Sequence, residues 1–267
     1  MNEDIYLGTI ESFILLYKNA LRLGDPVLPK PSYKFLPTKK PILQLKIISA
    51  LGQLLCLTDQ TLIVFNLETL EIINNVKSRN VYAFCLNESP ITDNPFIVEI
   101  CLVKRKSLQI CELEEDKLKI LKEISFSEQL LTVSMDGHYL CSASECNYYM
   151  INWSTSNCQL VLGNDHSETH TQSRILHVAR DEFLINGLSL GIFIKTSGIS
   201  DKPPIDWGTD VLNYVHYHPF ILCLKKHSIC IIRFVYLFLI FFLFYFFIIL
   251  FFFLFSLSLS FLVSSIH

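Results

Sequence analysis

A strand–turn–strand unit recurs along this chain, and its spacing constrains the fold more than any other feature. Leu55-Cys56-Leu57-Thr58-Asp59 leads into Leu62-Ile63-Val64-Phe65-Asn66 and then Leu67-Glu68-Thr69. Leu140-Cys141-Ser142-Ala143 leads into Tyr148-Tyr149-Met150-Ile151-Asn152 and then Trp153-Ser154-Thr155. Asn66 and Asn152 lie 86 residues apart, as do Thr69 and Thr155. A third copy, Phe183-Leu184-Ile185 into Gly191-Ile192-Phe193-Ile194, places Phe193 43 residues after Met150, and Ser107–Cys111 falls between the first two copies. The repeat is therefore about 40–46 residues, the length of a four-stranded propeller blade.

The runs themselves read as strands. They are short, bounded by polar turns, and rich in Val, Ile, Tyr and Phe, which fits strands better than helices. Further examples are Ile5–Leu7, Phe13–Tyr17, Phe96–Val103, Phe220–Leu224 and Ile229–Ile232. Lys117–Glu123 reads equally as helix or strand. A β-sandwich also gives closely spaced strands, but the 43- and 86-residue periods favour the propeller. The expected fold is all-β: a β-propeller over residues 1–233, with five or six blades at about 42 residues each. Gly24–Pro41 holds five of the ten prolines and reads as an extended connection. Leu162–Ser173 reads as an exposed polar loop.

Residues 234–263 break the pattern. From Phe234 to Val263 there is no charge and no Gly, Ala or Pro; 12 of the 30 residues are Phe and 8 are Leu. That length exceeds the ~20 residues of a membrane-spanning helix. Lys225, Lys226 and Arg233 flank its start, the cytoplasmic mark of an anchor. Two readings stand: a hydrophobic C-terminal helix anchoring a cytosolic propeller, or translated non-coding sequence, since six residue types fill the run and the small residues used in helix packing are missing.

Charge narrows the function classes. With 22 Lys+Arg against 25 Asp+Glu, net charge is -3, which gives no reason to expect nucleic-acid binding. Nine cysteines, an odd number placed mostly in apolar runs, read as buried free thiols rather than a disulfide framework. The N-terminus shows no secretion signal.

Candidate chemistry is sparse. His166 and His170, with Glu168 between them, have a helical metal-binding spacing but sit in the polar loop. His216 and His218 would share one face of a strand, and Cys141 and Cys146 have no second pair at zinc-site spacing. None is expected to hold a metal. No nucleophile elbow or phosphate-binding glycine loop occurs, so neither catalytic residues nor a cofactor are expected. Asp136-Gly137 reads as a tight turn. Lys104-Arg105-Lys106 reads as a solvated turn or as a contact for an acidic partner surface or anionic lipid.

A family resemblance appears from residue 84 onward. Asn87 and Pro90 precede Pro95-Phe96-Ile97-Val98-Glu99-Ile100-Cys101, then Lys104-Arg105-Lys106-Ser107-Leu108-Gln109-Ile110. Asp136-Gly137, Asp181-Glu182-Phe183-Leu184, Leu190-Gly191-Ile192-Phe193 and Pro204-Ile205-Asp206-Trp207 follow in order. This progression resembles the citron-homology domain of the Vps39/TGF-β-receptor-associated family of endosomal tethering proteins, over about residues 4–233. The resemblance implies a propeller followed by a helical solenoid, which would leave this chain with an incomplete propeller. It implies a non-enzymatic scaffold in CORVET- or HOPS-like complexes that binds an endosomal Rab GTPase and other tethering subunits. The alternative it carries is an adaptor or chaperone of TGF-β receptor and SMAD signalling. The implied location is cytoplasmic, peripheral on the early endosome membrane. Asn87, Pro90, Pro95, Phe96, Glu99, Asp136, Gly137, Gly191 and Trp207 are the signature residues and are expected to be structural.

Overall fold

The computed structural model describes residues 4–20, 30–36, 38–163, 173–187, 189–208 and 211–233. They form antiparallel sheets in which strands follow one another in chain order. The first sheet holds β1 (Ile5–Gly8), β2 (Phe13–Tyr17) and β3 (Ser32–Phe35). The second holds β4 (Ile42–Ile48), β5 (Gln53–Thr58), β6 (Thr61–Asn66) and β7 (Ile72–Arg79). The third holds β8 (Ala83–Leu86), β9 (Val98–Val103), β10 (Ser107–Leu113) and β11 (Leu118–Ser125). The fourth holds β12 (Thr132–Asp136), β13 (Tyr139–Ala143), β14 (Asn147–Asn152) and β15 (Asn157–Gly163). The fifth holds β16 (Ile175–Ala179), β17 (Glu182–Gly187), β18 (Leu190–Lys195), β19 (Gly198–Ile199) and β20 (Ile205–Asp206). These five belong to one compact unit ending at Gly208. The only helix among the described residues is a single 3-10 turn, Ser49–Leu51.

Within this unit, alternation along the strands decides the packing. Side chains two apart share a face. On β5, Leu55 and Leu57 pack in a cluster with Phe84, Ile100 and Leu102 of the third sheet. The intervening Leu54 and Cys56 pack in another with Ile14 and Leu16 of the first. β5 is thus buried along its whole length. The third sheet repeats the device: Cys101, Val103, Leu108 and Ile110 join Met135, Leu140 and Ile151 of the fourth. Cys141, Tyr148 and Met150 then join Phe183, Ile185 and Ile194 of the fifth. A sheet clothed on both faces is what a propeller blade requires.

The inner strand of a blade is the first in its sheet. β8 lies against β12, and β12 against β16. The first sheet is offset. Its β1–β2 turn sits beside the β5–β6 turn of the second sheet: Ile42 N donates to Thr9 O (3.1 Å), and both Ser12 Oγ and Thr58 Oγ1 donate to Lys40 O. By position, β1, β2 and β3 therefore correspond to the second, third and fourth strands of the other blades.

The second unit, from Thr209 onward, holds β21 (Val211–Tyr217), β22 (Phe220–Lys225) and β23 (Ile229–Arg233). Tyr214, Ile221 and Cys223 are buried on one face, whereas Val215, Tyr217, Ile229 and Ile231 are exposed.

The structure corrects parts of the sequence reading. The Gly24–Pro41 stretch is not only a connection, because β3 lies inside it. Lys117–Glu123 falls on a strand, β11, paired along β10. The polar loop begins later than Leu162, since β15 continues to Gly163. The expected C-terminal helix, Phe234–Val263, lies outside the described residues, as do His166, Glu168 and His170. All nine cysteines are free, five of them buried, including Cys101 and Cys141. Burial pushes the Cys56 thiol up to about 12, and the Cys111 thiol to about 12. These thiols pack as small apolar groups.

Leu102 is fully buried between the second and third sheets. Leu102→Ala is expected to destabilise the fold by about 2–5 kcal/mol. Leu160 is 55% exposed on β15, and Leu160→Ala should stay within about 0.5 kcal/mol of the parent. Urea denaturation separates the two. Equal effects would mean that the blade interface is not where the chain buries its apolar surface.

Candidate interaction surface

Polar joints link the blades, and several signature residues build them. Asn87 follows β8. Its Nδ2 donates to Gly137 O (3.3 Å), and its Oδ1 accepts from Gly137 N (2.8 Å), so the side-chain amide pairs across the blade boundary like a strand neighbour. The same Nδ2 donates to the Glu99 carboxylate. Gly137 has a φ of +56°, a left-handed conformation that favours glycine. Asp136 carries the pattern forward: its carboxylate accepts from Asp181 N on the fifth sheet and lies 3.4 Å from His177 Nε2.

Glu99 is buried at the start of β9. Its carboxylate also accepts from Ile91 N (3.1 Å) and Thr92 N (3.3 Å). These bonds, with Phe96 N donating to Asn94 Oδ1 (3.0 Å), hold the β8–β9 loop. Pro90 and Pro95 lie in it and further restrict its backbone. The loop presents Ile91 and Phe96 to solvent, 41% and 64% exposed. Of the signature residues, Phe96 is thus a surface group and not a core one. Gly191 and Trp207 form a separate joint in the fifth sheet. A Cβ on Gly191 would come within 2.3 Å of the Trp207 ring, and the indole is buried against it.

Lys104-Arg105-Lys106 forms the β9–β10 turn but does not act as one triplet. Lys104 Nζ donates to Ser78 Oγ (2.8 Å) and Arg79 O (2.5 Å), tying the third blade to the second. Burial draws its pKa down. Arg105 and Lys106 are exposed.

Other joints carried no sequence motif. Gln44 on β4 donates through Nε2 to Phe84 O (2.7 Å) and accepts at Oε1 from Phe84 N (3.2 Å). Gln53 Nε2 donates to Glu115 O (2.6 Å). The Tyr148 hydroxyl lies 2.8 Å from Asn186 O and 2.7 Å from Asn186 Oδ1. Burial, the largest cause, pushes it up to about 12. The one legible signal for these residues is a polar side chain inside or beside an apolar run.

The inner strands line an open cavity of about 610 Å³. Gln44, Lys46, Glu88, Thr132, Ser134 and Arg174 supply its polar lining, with Leu43 and Leu131 among the apolar groups. Lys46 Nζ and Glu88 Oε1 pair at 3.5 Å. Cys85 also lines it, and Glu88 supplies its carboxylate. Among the described residues no group of three His, Cys, Asp or Glu is placed to hold a metal. The His216 and His218 rings lie 6.1 Å apart, edge to face, in the second unit. Cys141 is buried in β13, while Cys146 sits in the following turn.

The family model of the CNH domain matches residues 5–235. The chain belongs to the CNH domain family. Within it, this CNH domain is 33% identical over 234 residues to "Transforming growth factor-beta receptor-associated protein 1 homolog" of Danio rerio. It is 32% identical over 237 residues to "Transforming growth factor-beta receptor-associated protein 1" of Homo sapiens. These alignments cover 84% and 85% of the chain but 27% of each relative, so the chain spans about a quarter of their length. Among solved structures it resembles the AfRom2 CNH domain, with a TM-score of 0.60 at 18% identity, covering 84% of this chain and 75% of that one. The WD40 domain of Neurospora crassa Pan2 gives a TM-score of 0.60 at 12% identity, over 88% and 73% of the two chains. Both likenesses identify the fold as a β-propeller.

Two measurements test the joints of this CNH domain. Asn87→Ala strands Gly137 N and one side of the Glu99 carboxylate, and should cost about 1–3 kcal/mol in urea denaturation. A cost below about 0.5 kcal/mol would show that water replaces the amide without loss. Tyr148 supplies a pH signature. A group whose folded value lies above its unfolded value of 10.0 is more readily deprotonated in the unfolded chain. Stability is therefore whole below about pH 10 and declines toward pH 12. Tyr148→Phe should flatten that decline relative to the parent, and identical slopes would remove the assignment.

Proposed function

We propose that this CNH domain is a non-catalytic interaction scaffold in endosomal vesicle tethering. In this reading it works in a CORVET- or HOPS-like assembly, binds an endosomal Rab GTPase and other tethering subunits, and sits on the cytoplasmic face of early endosomes. The observation that carries it is the identity of about a third to the TGF-β receptor-associated proteins over nearly the whole propeller. The signature residues Asn87, Glu99, Gly137, Gly191 and Trp207 are occupied in joints, which leaves the blade ends for recognition. The loop of Ile91 and Phe96 suits that task. Apolar anchors on a backbone already held by buried hydrogen bonds lose little further freedom on binding. The mechanism is presentation of surface, with no covalent step.

The similarity to receptor-associated proteins favours a second reading, an adaptor that binds a TGF-β receptor; SMAD proteins would be further partners in that reading. A pull-down with the full chain decides between them, using an early-endosomal Rab loaded with GTP or GDP and, in parallel, a TGF-β receptor cytoplasmic domain. The tethering reading expects retention of the GTP form, weakened about tenfold or more by Ile91→Asp with Phe96→Asp at an unchanged denaturation midpoint. Retention of the receptor domain alone would favour the adaptor. Binding of neither would sink both.

A further inference from the structure

Blades two and three are electrically polarised along the propeller axis. At one end lie the β5–β6 and β9–β10 turns and the connections leading into β4 and β8. Lys39, Lys40, Arg79, Lys104, Arg105 and Lys106 gather there. Thr61 pairs with Arg79 in the sheet, Lys104 Nζ reaches Arg79 O, and Lys40 O accepts from Thr58 Oγ1. Five of these six cations are exposed. The acids at this end are Asp59, Glu123, Glu11 on the neighbouring β1–β2 turn and Glu128 on the connection leaving β11. Glu123 is engaged by Ser107 and Gln109, and Glu128 by Tyr149 and Asn147. The opposite end carries the β6–β7, β8–β9 and β10–β11 turns. There Glu68, Glu71, Asp93, Glu114, Glu115 and Asp116 face Lys117.

Exposed apolar groups also belong to this end: Ile10 on the neighbouring β1–β2 turn, 76% exposed, and Leu43. Leu43 lies where the pairing of β4 with β5 shifts register, between Ile42 and Gln44. It is 63% exposed and lines the axial cavity.

We propose that this basic end is a docking face for an anionic phospholipid membrane, with Lys39, Lys40, Arg79, Arg105 and Lys106 against the headgroups and Leu43 in the interface. Clustered cations gain from a negative leaflet potential within a Debye length of the surface. An exposed leucine gains nothing from a nucleic-acid backbone, but it leaves water at an acyl boundary. The acidic end is repelled by the same potential, so docking fixes orientation and turns the Ile91–Phe96 loop away from the lipid. This inference stands apart from the tethering reading, because vesicle binding needs no protein partner.

The test uses the full chain and sedimentation with vesicles of phosphatidylcholine containing about 30 mol% phosphatidylserine, beside phosphatidylcholine alone. Lys40→Glu/Arg105→Glu/Lys106→Glu should weaken binding to the anionic vesicles about tenfold or more. Added salt should act in the same direction. Glu115→Lys/Asp116→Lys, at the far end, should bind at least as well as the parent. Leu43→Trp should show a blue-shifted emission on anionic vesicles. Equal binding to both vesicle types, or a triple variant that binds like the parent, overturns the proposal; the apolar Phe234–Val263 segment partitioning alone would give that result. An unshifted Trp emission overturns the insertion of residue 43. Preferential displacement of vesicles by a short DNA duplex would reassign the patch to nucleic acid and overturn the lipid assignment.

Discussion

Packing in the first unit depends on burying both faces of its second, third and fourth sheets. A four-stranded meander cannot cover its own two apolar faces, and neighbouring sheets supply the cover. β5 shows the requirement at single-residue scale. Leu55 and Leu57 point to one neighbour and Leu54 and Cys56 to the other, so no residue between Gln53 and Thr58 reaches solvent. A one-residue slip in this strand would not expose apolar groups to water, since both faces are apolar. Register must be set elsewhere, and the polar joints between blades are suited to set it.

Those joints explain why buried polar side chains are retained in an apolar stack. The Asn87 amide presents both a donor and an acceptor to Gly137, and that pairing is satisfied in a single alignment of the third and fourth sheets. Gln44 does the same with Phe84 between the second and third. A buried amide left unpaired costs more than its bond contributes when made. The joints thus discriminate between alignments more than they raise total stability. Glu99 extends the logic to a loop: one buried carboxylate satisfies Asn87 and the backbone of residues 91 and 92 together. Lys104 shows that a charge can serve the same end, its ammonium holding two blades rather than standing in solvent.

The legible part of the fold follows from this burial pattern. Second and third strands of the blades, such as β5, β6, β13 and β14, lie between two neighbours and read as apolar runs, so the sequence period located them. Inner strands line the axial cavity on one edge, and outer strands border solvent. β4 and β15 therefore mix exposed and half-buried residues, and their composition resembles that of loops. β3 was further hidden among prolines. The site was less legible than the fold. The family resemblance picked out Asn87, Glu99, Asp136, Gly137, Gly191 and Trp207, but what each one holds emerges only from the fold. Gln44 and Tyr148 had no pattern to mark them, because a lone amide or hydroxyl inside an apolar run acquires its role only from a partner some 40 residues away.

Net charge illustrates the same limit from another side. A chain with 22 basic and 25 acidic residues has no overall field to steer it toward nucleic acid, yet a sum says nothing about distribution. Because strands in a meander reverse direction, turns alternate between the two ends of a blade, and charges about ten residues apart can be sent to opposite ends. Lys104–Lys106 and Glu114–Asp116 are such a pair, joined by the seven-residue β10. The separation is built into the antiparallel topology and requires no long-range pattern in composition. It is also rigid, since Lys104 is bonded to the neighbouring blade and Gln53 Nε2 holds the carbonyl of Glu115. A fixed charge separation on a stiff scaffold can orient the molecule in a field, whereas the same charges on flexible loops would average out.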